Sequence, residues 1–274
     1  MPLLVTVAIL AAVAYLMSRV DQPWTQPKKR VHKGGWRQSV EGCLLRPWLS
    51  VRALPSFQGV QTQIVLFDGF DPLDAVAPFE VLHAGGVASD GSVTVEFVSA
   101  EGPRAVVSGT GGLTLDATAT LDPDHADLVI VPGASGRIDG AEHDSIPVLL
   151  AQTLTTELPA LLKSAMENPA VTVATVCGGS LVLAMAGLLD GRHATTHHLG
   201  MDLLDATGTR VVRARVVDDG DLITAAGVTS GLDLGLYLLE REIGPQVAHA
   251  VEELFAYERR GVVWRDQGPK PSSF

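Results

Sequence analysis

The residue of this sequence with the clearest chemical potential is Cys177. It follows the β-branched run 171–176, which is typical of a buried parallel strand, and it precedes Gly-Gly-Ser and the apolar stretch 181–186. A cysteine at such a tight strand-to-helix turn is lifted out of the sheet as a nucleophile elbow, and the start of the following helix favours its thiolate. A free cysteine elsewhere is often only a small buried apolar side chain. The position therefore indicates a functional thiol on a strained backbone with φ above zero.

Acidic side chains that can assist a thiol lie in the loop after the first predicted strand. They are Asp68, Asp71 and Asp74. Asp74 is the candidate catalytic partner of Cys177, within hydrogen-bond reach of its sulfur, because it falls in the first turn of the predicted helix. A protonated carboxyl can donate to a thiolate, and an ionised one can orient water. Helix capping is the alternative role for all three, and the one we prefer for Asp68 and Asp71.

Backbone N–H groups that can bind a developing oxyanion are offered by the glycine-rich stretch 132–136, which follows another buried strand. Gly133 and Ala134 in this stretch, with Gly178 beside the thiol, are the candidate binding and oxyanion groups.

Histidine residues form a second group of candidates after the predicted strand 192–196. His197 or His198 can reach the elbow as a base or a binding group, and we assign His197 to the binding site. Three histidines within six residues can also ligate zinc, but no cysteine or carboxylate lies beside them at ligand spacing. The glycine-rich stretches match neither a Walker loop nor a dinucleotide fingerprint. We therefore predict no metal and no cofactor.

The elements that must position these residues alternate between strand and helix from residue 63 onward. This alternation predicts an α/β, flavodoxin-like fold: a mostly parallel sheet with helices on both faces. The predicted strands are 64–67, 93–98, 128–131, 171–176, 192–196, 210–217 and 221–225, with a small hairpin at 105–107 and 113–115. The predicted helices are 72–83, ended by Gly85-Gly86, then 146–167, 180–186, 199–206, 230–241 and 245–257. Asp205 and Asp233 are expected on helix surfaces. Reactive groups collect at the carboxyl ends of parallel strands, so the loops 68–74, 132–136 and 177–180 should meet there.

Charge divides the chain near residue 59. Residues 1–58 hold eight Lys and Arg and two acidic residues, which gives a net charge of +6. The remainder holds 12 Lys and Arg and 29 acidic residues, which gives a net charge of −17. Such an acidic body is a poor match for nucleic acid, and the chain has too few residues after its last predicted helix for a DNA-binding domain. Two cysteines in 274 residues give no disulfide framework and indicate a cytoplasmic setting. We expect a 59–265 domain, a polar 266–274 tail, a small-molecule substrate and a homodimer.

The N-terminal extension 1–58 has three interpretations. Its apolar stretch 3–17 would make about 22 Å of helix, short of a hydrocarbon core of ~30 Å, and basic residues follow it. It can be a membrane anchor with a basic linker, which would tether the domain on the cytoplasmic side. It can also be a disordered tail, or the product of a start codon assigned too far upstream. We predict that this extension contributes nothing to the fold, so that any membrane contact is made through 3–17 alone.

Five motifs in the region 62–258 form a set. They are Pro72 to Val81, Asp127 to Ala134, Val176 to Ala184, Ala186 to His197 and Ala226 to Leu234. Together they resemble the ThiJ/PfpI superfamily, which shares the class I glutamine amidotransferase-like fold. The branch that is most similar contains isonitrile hydratase and the amidotransferase-like domains of AraC-type regulators.

The resemblance implies roles for three residues. Cys177 matches the elbow cysteine of the family, Asp74 its acidic partner, and His197 a histidine near the site. It implies a lyase that converts an isonitrile to an N-substituted formamide by thiolate addition and aspartate-directed water. The hydratase has Thr after its nucleophile where this chain has Gly178, and branches with a Cys-His pair have His at that position. The alternative is a non-enzymatic thiol sensor that oxidises reversibly, or a ligand-binding regulatory module.

Overall fold

Buried β-branched and aliphatic runs build the central sheet in a computed structural model, which describes residues 59–138, 143–270 and 272. Its strands are β1 (Val60–Val65), β2 (Val93–Ser99), β3 (Arg104–Val107), β4 (Thr114–Ala117), β5 (Ala119–Thr120), β6 (Leu128–Val131), β7 (Thr172–Val176), β8 (His193–Ala194), β9 (Arg210–Val211), β10 (Val216–Asp218), β11 (Leu222–Ala225) and β12 (Trp264–Arg265). Its helices are α1 (Pro72–Ala88), α2 (Ile146–Thr153), α3 (Leu158–Glu167), α4 (Gly179–Met185), α5 (Met201–Ala206), α6 (Ser230–Glu242) and α7 (Pro245–Phe255), with a 3₁₀ turn at His198–Gly200.

The main sheet of the described residues has the strand order β12-β10-β11-β7-β6-β1-β2-β5. Neighbouring strands run parallel except β10 and β11, which are antiparallel. The predicted hairpin is present as the antiparallel pair β3 and β4. Every residue of β6 and β11 is buried, as a parallel sheet covered on both faces requires. The predicted mostly parallel sheet is confirmed.

Helices cover both faces of this sheet, as the alternation predicted. The chain moves from β1 to β2 in one direction along the sheet and from β6 to β7 in the other. Because crossovers between parallel strands are right-handed, α1 must lie on one face and α3 on the opposite face. Helices α6 and α7 pack with α1, whereas α2 and α5 each contact α4. The two directions diverge between β1 and β6, and ligands bind at such a switch point.

Helix α1 is longer than predicted, because the glycines expected to end it lie inside it. A Cβ atom on Gly85 would overlap the Leu239 side chain, and one on Gly86 would overlap the Val93 carbonyl oxygen. The two glycines therefore let α6 and β2 pack closely against α1. The expected end of the helix at this pair was wrong, since tertiary packing rather than capping requires glycine there.

The predicted helix 146–167 is two helices, α2 and α3. Pro159 falls in the first turn of α3, where its missing N–H costs no helical hydrogen bond. The predicted strand 210–217 is likewise divided into β9 and β10.

Asp233 is buried, which corrects its expected place on a helix surface. Its Oδ2 accepts hydrogen bonds from Arg215 Nε at 2.6 Å and from the Tyr257 hydroxyl at 2.9 Å. Its Oδ1 accepts one from the Arg260 backbone N–H at 2.6 Å. These partners tie the start of α6 to the segment that follows α7. Asp205, by contrast, is exposed on α5 as expected.

The predictions for the N-terminal extension, including the apolar stretch 3–17, lie outside the described residues. In the part of the chain that the structure describes, none of the helices has both the length and the apolar character to cross a membrane. Strand β12 ends at Arg265 and pairs with β10, and the domain end at residue 265 stays a prediction.

Candidate active site

Cys177 lies directly between β7 and α4, at the predicted elbow. Its φ is 55°, in the left-handed region that residues other than glycine seldom adopt, so the predicted strained backbone is confirmed. Two contacts fix this conformation. The Cys177 N–H donates to the Ala225 carbonyl at 3.0 Å, and the Thr196 hydroxyl donates to the Cys177 carbonyl at 2.7 Å. The elbow is thus held by two segments that come later in the chain.

Asp74 lies in the first turn of α1 and is completely buried. The Gly133 N–H donates to its Oδ2 at 2.9 Å. Its other oxygen, Oδ1, has no hydrogen-bond partner among the described residues. Cys177 and Asp74 lie close enough for each to affect the pKa of the other. The structure therefore places the predicted carboxyl and the predicted thiol near each other.

Both groups of this pair hold their protons more tightly than usual. Burial raises the pKa of Asp74 well above its ordinary range, and the nearby Asp71 charge raises it further. Burial also raises the pKa of Cys177, with a further contribution from the Asp74 charge, and this outweighs the Gly178 N–H, which lowers it. The expectation that the helix start favours the thiolate is therefore corrected, because desolvation is the larger effect.

The three candidate oxyanion donors differ in whether their backbone N–H groups already have an acceptor. The Gly133 N–H is engaged by Asp74, so it positions the carboxyl and has no hydrogen left for an oxyanion. The Gly178 N–H donates toward the Cys177 sulfur. The Ala134 N–H has no acceptor among the described residues, and Ala134 lines the cavity above the thiol. Ala134 is thus the member of the predicted set that can still donate to a ligand.

Close approach explains why position 133 is glycine. A Cβ atom there would lie 2.5 Å from the Gly178 nitrogen and 2.9 Å from Asp74 Oδ2. A Cβ atom on Gly178 would meet its nearest neighbour, Leu150 Cδ1, at 3.4 Å, which is ordinary contact. The space at 178 therefore admits a Cβ atom, whereas the space at 133 does not.

His197 lines the same cavity as Cys177, as expected for a binding group. Burial lowers its pKa, and the neighbouring His198 lowers it further, so the ring is neutral near pH 7. The Leu199 N–H donates to Nδ1 at 3.3 Å, which places the ring proton on Nε2. His193 lies elsewhere, with Nδ1 3.0 Å from Asp219. The described residues contain no cluster of three or more His, Cys, Asp or Glu side chains suited to a metal ion.

The cavity above Cys177 has a volume of about 420 Å³. Its walls are mainly aliphatic and come from the start of α2, from α4 and from the 198–203 region. The apolar residues that line it are Ile138, Ile146, Leu150, Leu181, Met185, Leu199, Leu203 and Val228. A site of this kind suits a small apolar molecule held by a few polar groups.

Sequence reasoning missed Asp71 as a residue of this cavity. Its Oδ1 caps α1 by accepting the Leu73 N–H at 3.0 Å, as the capping interpretation predicted, but its side chain also lines the cavity. Asp68 instead forms an ion pair with Arg104 at 3.0 Å. The sequence position could have distinguished Asp71 from Asp68 as a residue near the site. Asp71 lies three residues before Asp74, which is almost one helical turn.

Comparison with known proteins places these features in a family. Residues 61–241 match the sequence model of the DJ-1/PfpI family. Isonitrile hydratase from Pseudomonas putida is 34% identical over 199 residues, which are 72% of this chain and 78% of the hydratase. The HTH-type transcriptional regulator CdhR from Pseudomonas aeruginosa is 30% identical over 200 residues, and the chain spans only 54% of its length.

Solved structures agree with this placement. A ThiJ/PfpI family protein from Pseudomonas syringae superposes with a TM-score of 0.59 at 27% identity, covering 84% of this chain and 85% of that one. Drosophila melanogaster DJ-1beta gives a TM-score of 0.61 at 20% identity, over 73% of this chain and 99% of its own. The second likeness concerns the fold alone.

Proposed function

Because this chain belongs to the DJ-1/PfpI family, as its motifs indicated, we propose that it is a cysteine-dependent enzyme that hydrates isonitriles to N-substituted formamides. The observation that carries the proposal is the strained Cys177 elbow, which lines an apolar cavity and lies near the buried Asp74 carboxyl. The similarity to an isonitrile hydratase over 72% of the chain supports the same chemistry.

In the proposed first step the Cys177 sulfur forms a bond with the terminal carbon of the isonitrile. The thiol proton passes to Asp74 and then to that carbon, which gives a thioformimidate on the enzyme. A carboxylate whose pKa is raised by burial is a stronger base than an ordinary one, so it is suited to accept this proton.

In the second step Asp74 accepts a proton from water while the water oxygen adds to the same carbon, and that proton goes to the nitrogen. In this proposal the incoming oxygen accepts a hydrogen bond from the Ala134 N–H, which has no acceptor among the described residues and belongs to a residue of the cavity wall. Cleavage of the carbon–sulfur bond releases the formamide, and the hydroxyl proton returns to the sulfur through Asp74. The enzyme is regenerated with its thiol protonated.

A second candidate is a thiol sensor or ligand-binding regulatory module of the same family. The similarity to a transcriptional regulator over 71% of the chain favours it. The raised pKa of Cys177 favours the ligand-binding module over the thiol sensor, because a thiol must lose its proton to be oxidised readily. In that case the cavity would hold an apolar ligand without turnover.

The experiment that decides between them is incubation of the full chain with an alkyl isonitrile, with formamide production followed by NMR. We expect turnover, and its loss in Cys177→Ser at an unchanged melting temperature, because serine fills nearly the same space. Absence of turnover on isonitriles would overturn the hydratase proposal. Rapid sulfenic acid formation at Cys177 under mild peroxide would then support the sensor.

A further inference from the structure

Asp71 is a charged residue of the cavity that the proposed reaction does not use. Of the described residues that line the cavity, Asp71 is the one with a carboxylate side chain. The rest of the described wall consists of aliphatic side chains, backbone atoms, one serine, the neutral His197 and the Cys177 thiol. Its Oδ1 accepts a hydrogen bond from the Leu73 N–H, and none of the ion pairs found among the described residues includes Asp71. The described wall of the cavity therefore carries a negative charge.

This charge lies close to the reacting atoms. Its field raises the pKa of Asp74 and of Cys177, and it opposes the lowering of the pKa of His197. Burial keeps His197 neutral, so the ring supplies no positive charge in return. In a largely apolar cavity a charge is screened less than in water, and its effect on a charged ligand is correspondingly larger.

We propose that Asp71 is a specificity-determining residue, which makes the cavity accept apolar molecules with a neutral or positively charged polar end and reject anionic ones. An ammonium or N–H group gains a charge-assisted hydrogen bond to the carboxylate. A carboxylate or phosphate meets a like charge and loses its hydration without a partner. The substrate class is then an apolar compound with an amine or no charge. The inference rests on the proposed function in one respect, that Cys177 is the reacting atom.

The test measures the charge preference of the thiol itself and needs no turnover. The full chain carries Cys43→Ser, so that Cys177 is the thiol that reacts. Three methanethiosulfonates are compared: a small neutral methyl reagent, and two larger charged reagents of comparable size, the cationic trimethylammonioethyl and the anionic sulfonatoethyl reagent. The measured quantity is the ratio of the cationic to the anionic rate, in the parent, in Asp71→Asn and in Glu80→Gln.

We expect Asp71→Asn to lower this ratio by about tenfold, because one unit charge is removed beside the thiol. Asparagine caps helices as well as aspartate does, so α1 is retained. Glu80 is exposed on the same helix and is not among the cavity residues. The Glu80→Gln substitution removes the same unit charge away from the cavity, so it should leave the ratio unchanged.

An unchanged ratio in Asp71→Asn, with normal reaction of the neutral reagent, would overturn the role of Asp71 and leave the proposed function standing. An equal fall in Glu80→Gln would overturn it as well, since the effect would then come from net charge. Failure of the neutral reagent to modify Cys177 would contradict the reactive thiol and both proposals together.

Discussion

Asp74 and Cys177 act as one titrating pair at the residue scale, because the charge of each changes the proton affinity of the other. Burial raises the pKa of both, and the Asp74 charge raises that of Cys177 further. Burial therefore favours the protonated form of both groups, and the order in which they lose their protons belongs to the pair and not to either residue alone.

Asp74→Asn tests this pair through the pH dependence of Cys177 alkylation by iodoacetamide. Removing the carboxylate charge removes a cause that raises the pKa of Cys177, so the alkylation rate should rise at lower pH than in the parent. Isonitrile turnover should fall by about a hundredfold or more, because asparagine cannot accept the thiol proton. The asparagine oxygen can still accept the Gly133 N–H.

Cys43→Ser in both proteins ensures that iodoacetamide reports on Cys177. A shift of the alkylation profile to higher pH would contradict the prediction. It would show that Asp74 stabilises the thiolate as a proton donor.

At the scale of elements, the site depends on how closely three loops approach one another. The loops after β1, β6 and β7 bring Asp74, Gly133 and Gly178 together, and Gly133 lies between the other two. Glycine at this position allows the backbone of one loop to contact the next. The geometry of the catalytic pair is therefore set by main-chain packing as much as by side chains.

Gly133→Ala should disturb this junction. The added methyl would lie within 3 Å of both the Gly178 nitrogen and Asp74 Oδ2, so we expect a loss of about 1–3 kcal/mol in the free energy of unfolding. Denaturant unfolding measures it, and Cys177 alkylation should change with it. Gly178→Ala is the matched control, with its nearest contact at 3.4 Å and a cost below about 1 kcal/mol. Equal stability of the two variants would argue against a close junction at 133.

Helix α6 is anchored by a buried ion pair. Arg215 and the partners from the C-terminal segment converge on Asp233, which is 2% exposed. Asp233→Ala leaves the partly buried guanidinium and the backbone N–H without their acceptor, and should cost about 3–5 kcal/mol of unfolding free energy. Asp205→Ala on exposed α5 should change it by less than about 0.5 kcal/mol. Thermal and denaturant unfolding of the two variants measure the difference, and similar midpoints would contradict a structural role for the pair.

The whole molecule divides by charge between a basic extension and an acidic body. The net charges are +6 for residues 1–58 and −17 for the remainder, and the first described strand begins at Val60. Strand β1 lies between β2 and β6 in the sheet. The described part of the acidic body therefore begins with a central strand.

A chain that begins at Gly59 should therefore keep the melting temperature and the Cys177 alkylation rate of the full chain. Differential scanning calorimetry of both proteins measures the first quantity. Insolubility, or a midpoint lower by several degrees, would show that the extension belongs to the domain. Recovery of the full chain, but not the shorter one, in the membrane fraction would support an anchor at 3–17.

The amino-acid sequence by itself determined those features that depend on local pattern. The spacing of apolar residues and the residue types predicted the central strands, the β3–β4 hairpin and the elbow at Cys177. They could do so because neighbouring residues determine the backbone conformation in these segments. Asp74 was found for the same reason, since the first turn of a helix can be read locally. The family motifs then joined these parts into one fold, which the sheet order confirms.

Tertiary structure alone decided which distant groups meet and how their proton affinities respond. Gly133 contacts a carboxyl 59 residues away, and Asp71 lines a cavity formed by later helices, which no local pattern contains. Asp233 and Asp205 were both expected on helix surfaces, yet Asp233 is buried and Asp205 is exposed. The start of the following helix predicted a thiolate at Cys177, but burial raises the pKa of this thiol and favours its protonated form. Desolvation depends on everything packed around a group, and the sequence near Cys177 specifies only one side of its surroundings.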